Sequence, residues 1–179
     1  MNRHVAFLRG MNLGGRRISN ADLRSHFEAL GCEGVATFRA SGNVVFERDE
    51  PPAKLTAHLE AGLAEALAYE VPVFLRSAEE VLAIATREPF EAKAVEASKG
   101  KLQVALLLKK PAKAAAGKAL ALATDDDRLA IEGRELYWLP RGGMSESELD
   151  LAALATILGP TTIRTKGTID QLAAKYLVA

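Results

Sequence analysis

A chain of 179 residues that is 49% hydrophobic and 26% charged is long enough to bury a core and too apolar for disorder. Its 23 basic and 23 acidic side chains cancel, which weighs against a general nucleic-acid binder, because that needs an excess of Lys and Arg to displace counterions, although a local basic pocket stays open. One cysteine, Cys32, excludes an internal disulfide and points to a reducing, cytoplasmic setting; the apolar run near Met1 is too short for a signal peptide, and nothing approaches the roughly 18 apolar residues of a membrane span.

The first strand is read at Val5 to Leu8, ending at Arg9. A Gly-rich loop follows, Arg9-Gly10-Met11-Asn12-Leu13-Gly14-Gly15-Arg16-Arg17. Ser19 and Asp22 then open a helix with Leu23, Phe27 and Leu30 at helical spacing, and Gly31 stops it. Val35 to Ala40 and Val44 to Glu47 are strands, with Ser41-Gly42-Asn43 as the tight turn between them. Pro51-Pro52 starts a second helix, in which Leu55, Leu59, Leu63 and Leu67 stack four apart. Val71 to Arg76 is the fourth strand. The order β-α-β-β-α-β is that of a ferredoxin-like unit, in which residues 3 to 76 form one antiparallel sheet with Val5–Leu8 beside Val44–Glu47.

Ser77 with Glu80 makes a capping box for a connecting helix to about Arg87, which Pro89-Phe90 breaks; Glu91 to Gly100 reads as a loop or frayed helix. Leu102 to Leu108 is a buried central strand. Pro111 sits in the first turn of an Ala-rich helix that ends before Asp125. Arg128–Ile131 and Glu135–Leu139 form a hairpin around Glu132-Gly133. A second Gly loop, Arg141-Gly142-Gly143-Met144, leads to a helix capped by Ser145 with Glu148 and stopped at Gly159-Pro160. Thr162 to Thr165 is a strand, and Thr168 with Gln171 caps the last helix. The second half repeats the element order of the first without visible sequence repetition. The expected fold is therefore α+β, two ferredoxin-like halves packed together, with antiparallel sheets and helices on one face: a subdomain over 1–77, a connecting helix and loop over 78–100, and a subdomain over 101–179.

Three stretches, taken together and in order, carry a likeness to a known family: Phe7-Leu8-Arg9-Gly10-Met11-Asn12-Leu13-Gly14-Gly15, Ser41-Gly42-Asn43-Val44-Val45-Phe46, and the pair Pro89-Phe90. They resemble DUF1697, an uncharacterised bacterial family, over essentially the whole chain. The resemblance implies a two-part α+β fold with a ferredoxin-like N-terminal part, and it implies no activity. Members often carry Arg-Asn-Trp-Asn-Thr near the end; here Arg164-Thr165-Lys166-Gly167-Thr168 keeps Arg164 and Thr168 and lacks the Trp and both Asn residues.

In a β-α-β-β unit the loop after the first strand and the turn between the second and third strands lie at the same end of the sheet. That places Arg9, Asn12, Gly14, Gly15, Arg16 and Arg17 beside Arg39, Ser41 and Asn43. Glycines let consecutive N–H groups converge as a nest, the following helix directs its N-terminus there, and guanidinium groups offer bidentate donors. One reading is a site for a small anionic ligand, phosphate or carboxylate, in a binding protein or an enzyme on a small metabolite. The other is that Gly14-Gly15 and Ser41-Gly42-Asn43 only shape turns, in a module that self-associates or binds a protein. The loop lacks both a dinucleotide fingerprint and the Lys of a P-loop, so no cofactor is expected. His4, His26 and His58 are scattered, and Asp125-Asp126-Asp127 reads as a solvated turn, so no metal is expected. Ser145 reads as a cap, no acid, base or nucleophile stands out, and Phe7 and Phe46 read as core rather than as an RNA-stacking platform.

Overall fold

The computed structural model describes residues 1–11, 14–40 and 42–178. The chain divides into two units, Met1–Ala83 with Leu172–Ala179, and Ile84–Gln171.

The first unit runs β1 (Arg3–Leu8), α1 (Asn20–Ala29), β2 (Glu33–Thr37), β3 (Asn43–Glu47), α2 (Pro52–Leu67) and β4 (Val73–Ser77). The strands lie in the order β2-β3-β1-β4, all neighbours antiparallel, and Val5 faces Val45 and Ala6 faces Val44 in the expected pairing of β1 with β3. The period-2 alternation sends Ala6, Leu8, Val44, Phe46, Val73 and Leu75 into one core with Leu23 and Phe27 of α1 and Leu55, Leu59 and Leu63 of α2. Burying each of those three leucines contributes about 2 kcal/mol. Phe7 and Phe46 are both fully buried. The strand expected to reach Ala40 ends at Thr37, because Arg39 turns into the left-handed region at φ 58° and cannot continue a ladder. Cys32, buried just beyond α1, has its thiol pushed up to about 11 by burial, against the opposing pull of the Arg48 guanidinium.

From β4 the chain passes without a linker into α3 (Ala78–Thr86). The capping box is present: Glu80 N–H donates to Ser77 Oγ at 3.1 Å, and Ser77 N–H to Glu80 Oε2 at 2.8 Å. The second unit contains α4 (Ala92–Ala97), β5 (Gln103–Leu107), α5 (Lys113–Leu120), β6 (Asp127–Glu132), β7 (Glu135–Pro140), a 3₁₀ turn (Met144–Glu146), α6 (Leu151–Leu158) and β8 (Thr161–Thr165), followed by α7 (Lys166–Tyr176). Its sheet is β6-β7-β5-β8, again antiparallel throughout, with the fully buried β5 at its centre. Ala105, Leu107, Leu136 and Trp138 pack on Leu154 and Leu158 of α6. The fold is thus α+β with two four-stranded antiparallel sheets, each βαββαβ-like.

Three helix starts differ from expectation. Ser145 is not an N-cap. Asp150 is, accepting from Ala153 N–H at 2.9 Å. The cause is Ser147, whose hydroxyl donates to buried Asp127 at 2.7 Å and accepts from Leu149 N–H, which holds that stretch extended past Ser145. Thr168 is not a cap either. It lies inside α7, and Thr165 takes the role by accepting its N–H at 3.2 Å, since β8 runs to Thr165 and the helix begins at the next residue. Pro111 precedes the cap Ala112 instead of occupying the first turn.

Candidate functional site

The topology brings the β1–α1 loop and the β2–β3 hairpin to one end of the first sheet. Leu8 N–H donates to Gly42 O at 2.8 Å, which fastens the two together, and Arg9 N–H donates to Pro72 O at 3.2 Å. Left-handed backbone is concentrated here: Gly10, Gly14 and Gly15 have φ of 74°, 60° and 82°, and Arg39 and Gly42 have 58° and 75°. Such turns reverse the direction of successive N–H groups, which is how a nest is built. At Gly42 the glycine is also a packing requirement, since a Cβ would meet Met11 Cγ at 3.0 Å and Leu8 Cβ at 3.1 Å. Gly14 and Gly15 are open, with nothing within 4 Å of an added Cβ.

Arg9, Gly14, Gly15, Arg16 and Arg39 are all exposed at this end. The Arg16 guanidinium lies 4.0 Å from the centroid of the Tyr69 ring, a cation–π contact that fixes its direction while leaving its N–H edge available. Arg39 lies 5.6 Å over the Phe38 ring. Asn43 has a different place. It is fully buried, and its Nδ2 donates to Phe38 O at 2.9 Å while its carbonyl accepts from Phe38 N–H, so it closes the hairpin from within. Asn12 and Ser41, expected at the same end, lie outside the described residues. The N-terminus of α1 is capped: Asp22 N–H donates to Ser19 Oγ at 3.0 Å and the Asp22 carboxyl accepts from the Ser19 hydroxyl at 2.8 Å. The cationic side chains and the loop backbone are what this surface offers to a ligand.

Tyr69 is the member that reading the sequence missed; its 53-residue separation from Arg16 leaves no local signal. In the second unit, the Arg141-Gly142-Gly143 loop stands near Asp127. Burial would raise the Asp127 carboxyl, but donation from Thr124, Ser147 and Trp138 outweighs it and holds the group below its ordinary range. All three are structural bonds that lock the loop in place. Among the described residues, no group of three His, Cys, Asp or Glu side chains could hold a metal ion, and no helix is long and apolar enough to cross a membrane.

Comparison with known proteins agrees with this architecture. The family described as "Protein of unknown function (DUF1697)" matches residues 1–137. Among solved structures, the conserved bacterial protein SP0830 from Streptococcus pneumoniae is similar at 21% identity, over 98% of each chain, with a TM-score of 0.76. That likeness extends the shared fold past the family match and through α7. No curated protein matches the chain.

Proposed function

The chain belongs to the DUF1697 family, and on its geometry we propose that it is a small-anion-binding protein whose site is the loop end of the first sheet. Arg9, Arg16 and Arg39 supply the charge, Gly14 and Gly15 shape a backbone that can approach the ligand, and Asn43 supports the hairpin from inside. Asn12 and Ser41 complete the proposed set. The ligand class is a phosphate ester or carboxylate, since guanidinium groups match both in a bidentate manner. A buried lone thiol supports the cytoplasmic, reducing setting.

One observation carries this reading. The second unit closes the same sheet topology with residues 108–112 after β5 and 133–134 between β6 and β7, whereas the first uses residues 9–19 and 38–42 at the matching joints. The fold does not need the longer loops, and the extra chain carries exposed arginines.

The test is thermal stability in phosphate, sulfate and chloride at equal ionic strength, for the wild type and for Arg9→Met and Arg16→Met. Phosphate specificity should raise the wild-type Tm by about 3 °C, roughly 1 kcal/mol for a chain of this size. Either variant should lose most of that difference. If both variants respond to phosphate as the wild type does, the loops are scaffolding and the reading fails. Nucleic-acid binding with a steep salt dependence, in the absence of any phosphate effect, would replace it.

A further inference from the structure

A second recess lies wholly within the second unit, away from the loops just described in sequence and in topology. The Pro89-Phe90 break, α4, the segment before β5 and the start of α7 enclose a cleft of about 450 Å³. That volume is in the range that holds a small organic molecule. Its apolar lining comes from Pro89, Phe90, Val95 and Leu102. Phe90 and Val95 are only half-buried, so apolar surface there remains open to a ligand.

The polar groups of the cleft fall into two classes. Lys166 and Arg87 are already engaged: Lys166 Nζ donates to Ala85 O at 2.7 Å and to both Asp170 oxygens at 2.9 and 3.1 Å, and Arg87 pairs with Glu132 at 2.8 Å. Two donors are not. Lys101 is exposed, is held in the left-handed region at φ 60°, and has no ion partner among the described residues. The Gly167 amide, in the first turn of α7, finds no acceptor among them either, although the neighbouring amides of Lys166 and Thr168 are bonded to Leu102 O and Thr165 Oγ1. Gly167 also has open space where a Cβ would project.

We propose that this cleft binds a small molecule with an apolar body and a single carboxylate. Phe90, Val95 and Leu102 would take the body, and the Lys101 ammonium and Gly167 amide would take the carboxylate. The charge argues for a monoanion: Glu88 and Glu96 also line the cleft, both exposed, and they disfavour a dianion such as a phosphate monoester at neutral pH. The site is therefore narrower in its choice of anion than the arginine-rich loops of the first unit, which suit phosphate as well as carboxylate.

The experiment is an amide-resolved NMR titration of the full chain with three probes: phenylacetate, its neutral isostere phenylacetamide, and inorganic phosphate. Phenylacetate should shift the Gly167 amide saturably at millimolar concentration. Phenylacetamide should bind about tenfold more weakly, the difference expected for one charge-assisted contact. Phosphate should leave Gly167 unmoved. Lys101→Met keeps the aliphatic stem and the backbone of an exposed residue, and should reduce the preference for the acid over the amide while leaving amide binding unchanged. Absence of a saturable shift at Gly167, equal binding of acid and amide, or an unchanged preference in Lys101→Met would each overturn the proposal. A phosphate response confined to the arginine loops would leave it standing.

Discussion

The two units place their additional chain at opposite ends of equivalent sheets. In the first, the long segments follow β1 and join β2 to β3; they are rich in glycine and arginine, and Arg9, Arg16, Arg17 and Arg39 in them are exposed. In the second, the long segments are 121–126, before β6, and 141–150, after β7, where the first unit has only 30–32 and 48–51. These carry Asp125, Asp126, Glu146 and Glu148, and they are anchored on the buried carboxylate of Asp127. One topology thus tolerates elaboration at either end. What separates the two cases is support: the second unit's loops are tied to a buried carboxylate, while the first unit's are tied at their base by backbone bonds and by the buried amide of Asn43.

That contrast can be broken or sharpened by substitution. The largest expected effect is Asp127→Ala, which strands the Trp138 indole N–H and removes the anchor of residues 141–150; it should cost about 3 kcal/mol by denaturant midpoint. A cost below 1 kcal/mol would mean the loop is held by something else (about the value of one ordinary bond). Because the folded carboxyl is held below its ordinary range, its contribution is complete above the unfolded value of about 3.9 and is lost as pH falls through the folded value. Wild type and Asp127→Ala should therefore converge in stability as acid is added.

Next come the two hairpin glycines. Both Gly42 and Gly133 are left-handed, at φ 75° and 58°, but only Gly42 is also crowded by Leu8 and Met11. Gly42→Ala should cost about 2 kcal/mol and Gly133→Ala about 1 kcal/mol, by thermal unfolding. Equal costs would show that packing against the β1 loop adds nothing to the first hairpin. Smaller again are the matching helix caps: Ser77→Ala and Thr165→Ala should each cost about 1 kcal/mol. The smallest is Ser145→Ala, which should stay within about 0.5 kcal/mol because its hydroxyl caps nothing; a loss of 1 kcal/mol or more would restore the role that its spacing from Glu148 suggests (about the worth of a cap).

Those caps also mark how far the sequence can be read. Local patterns held where one force decides: the alternation of Val5 to Leu8, the four-residue spacing of Leu55, Leu59 and Leu63, and the reciprocal pair Ser77 and Glu80. They failed where several residues compete for one role. Ser145, Ser147 and Asp150 can all cap a helix, and a bond to Asp127, twenty residues away from Ser147, selects among them. The repeated element order was legible, but no repeat of residues was, for a related reason. Leu75-Arg76-Ser77 and Ile163-Arg164-Thr165 occupy the same edge position, with Arg76 opposite Val5 and Arg164 opposite Val104, and each arginine donates to the carbonyl of the residue before it. Three residues are too few to register as a repeat before the sheets align them. At the candidate site, the convergence of the two loops followed from topology alone, but the burial of Asn43 and the pairing of Arg16 with Tyr69 did not.

The chain's lone thiol gives one of the two units a built-in recorder of its own breathing. Cys32 lies in the first unit, enclosed and kept protonated by its surroundings, and the second unit has no cysteine. Alkylation needs a thiolate that reagent can reach, so the rate at which a single adduct accumulates counts excursions that expose the segment after α1. A ligand that steadies the first unit should slow that count in proportion to its occupancy, and one confined to the second should leave it unchanged.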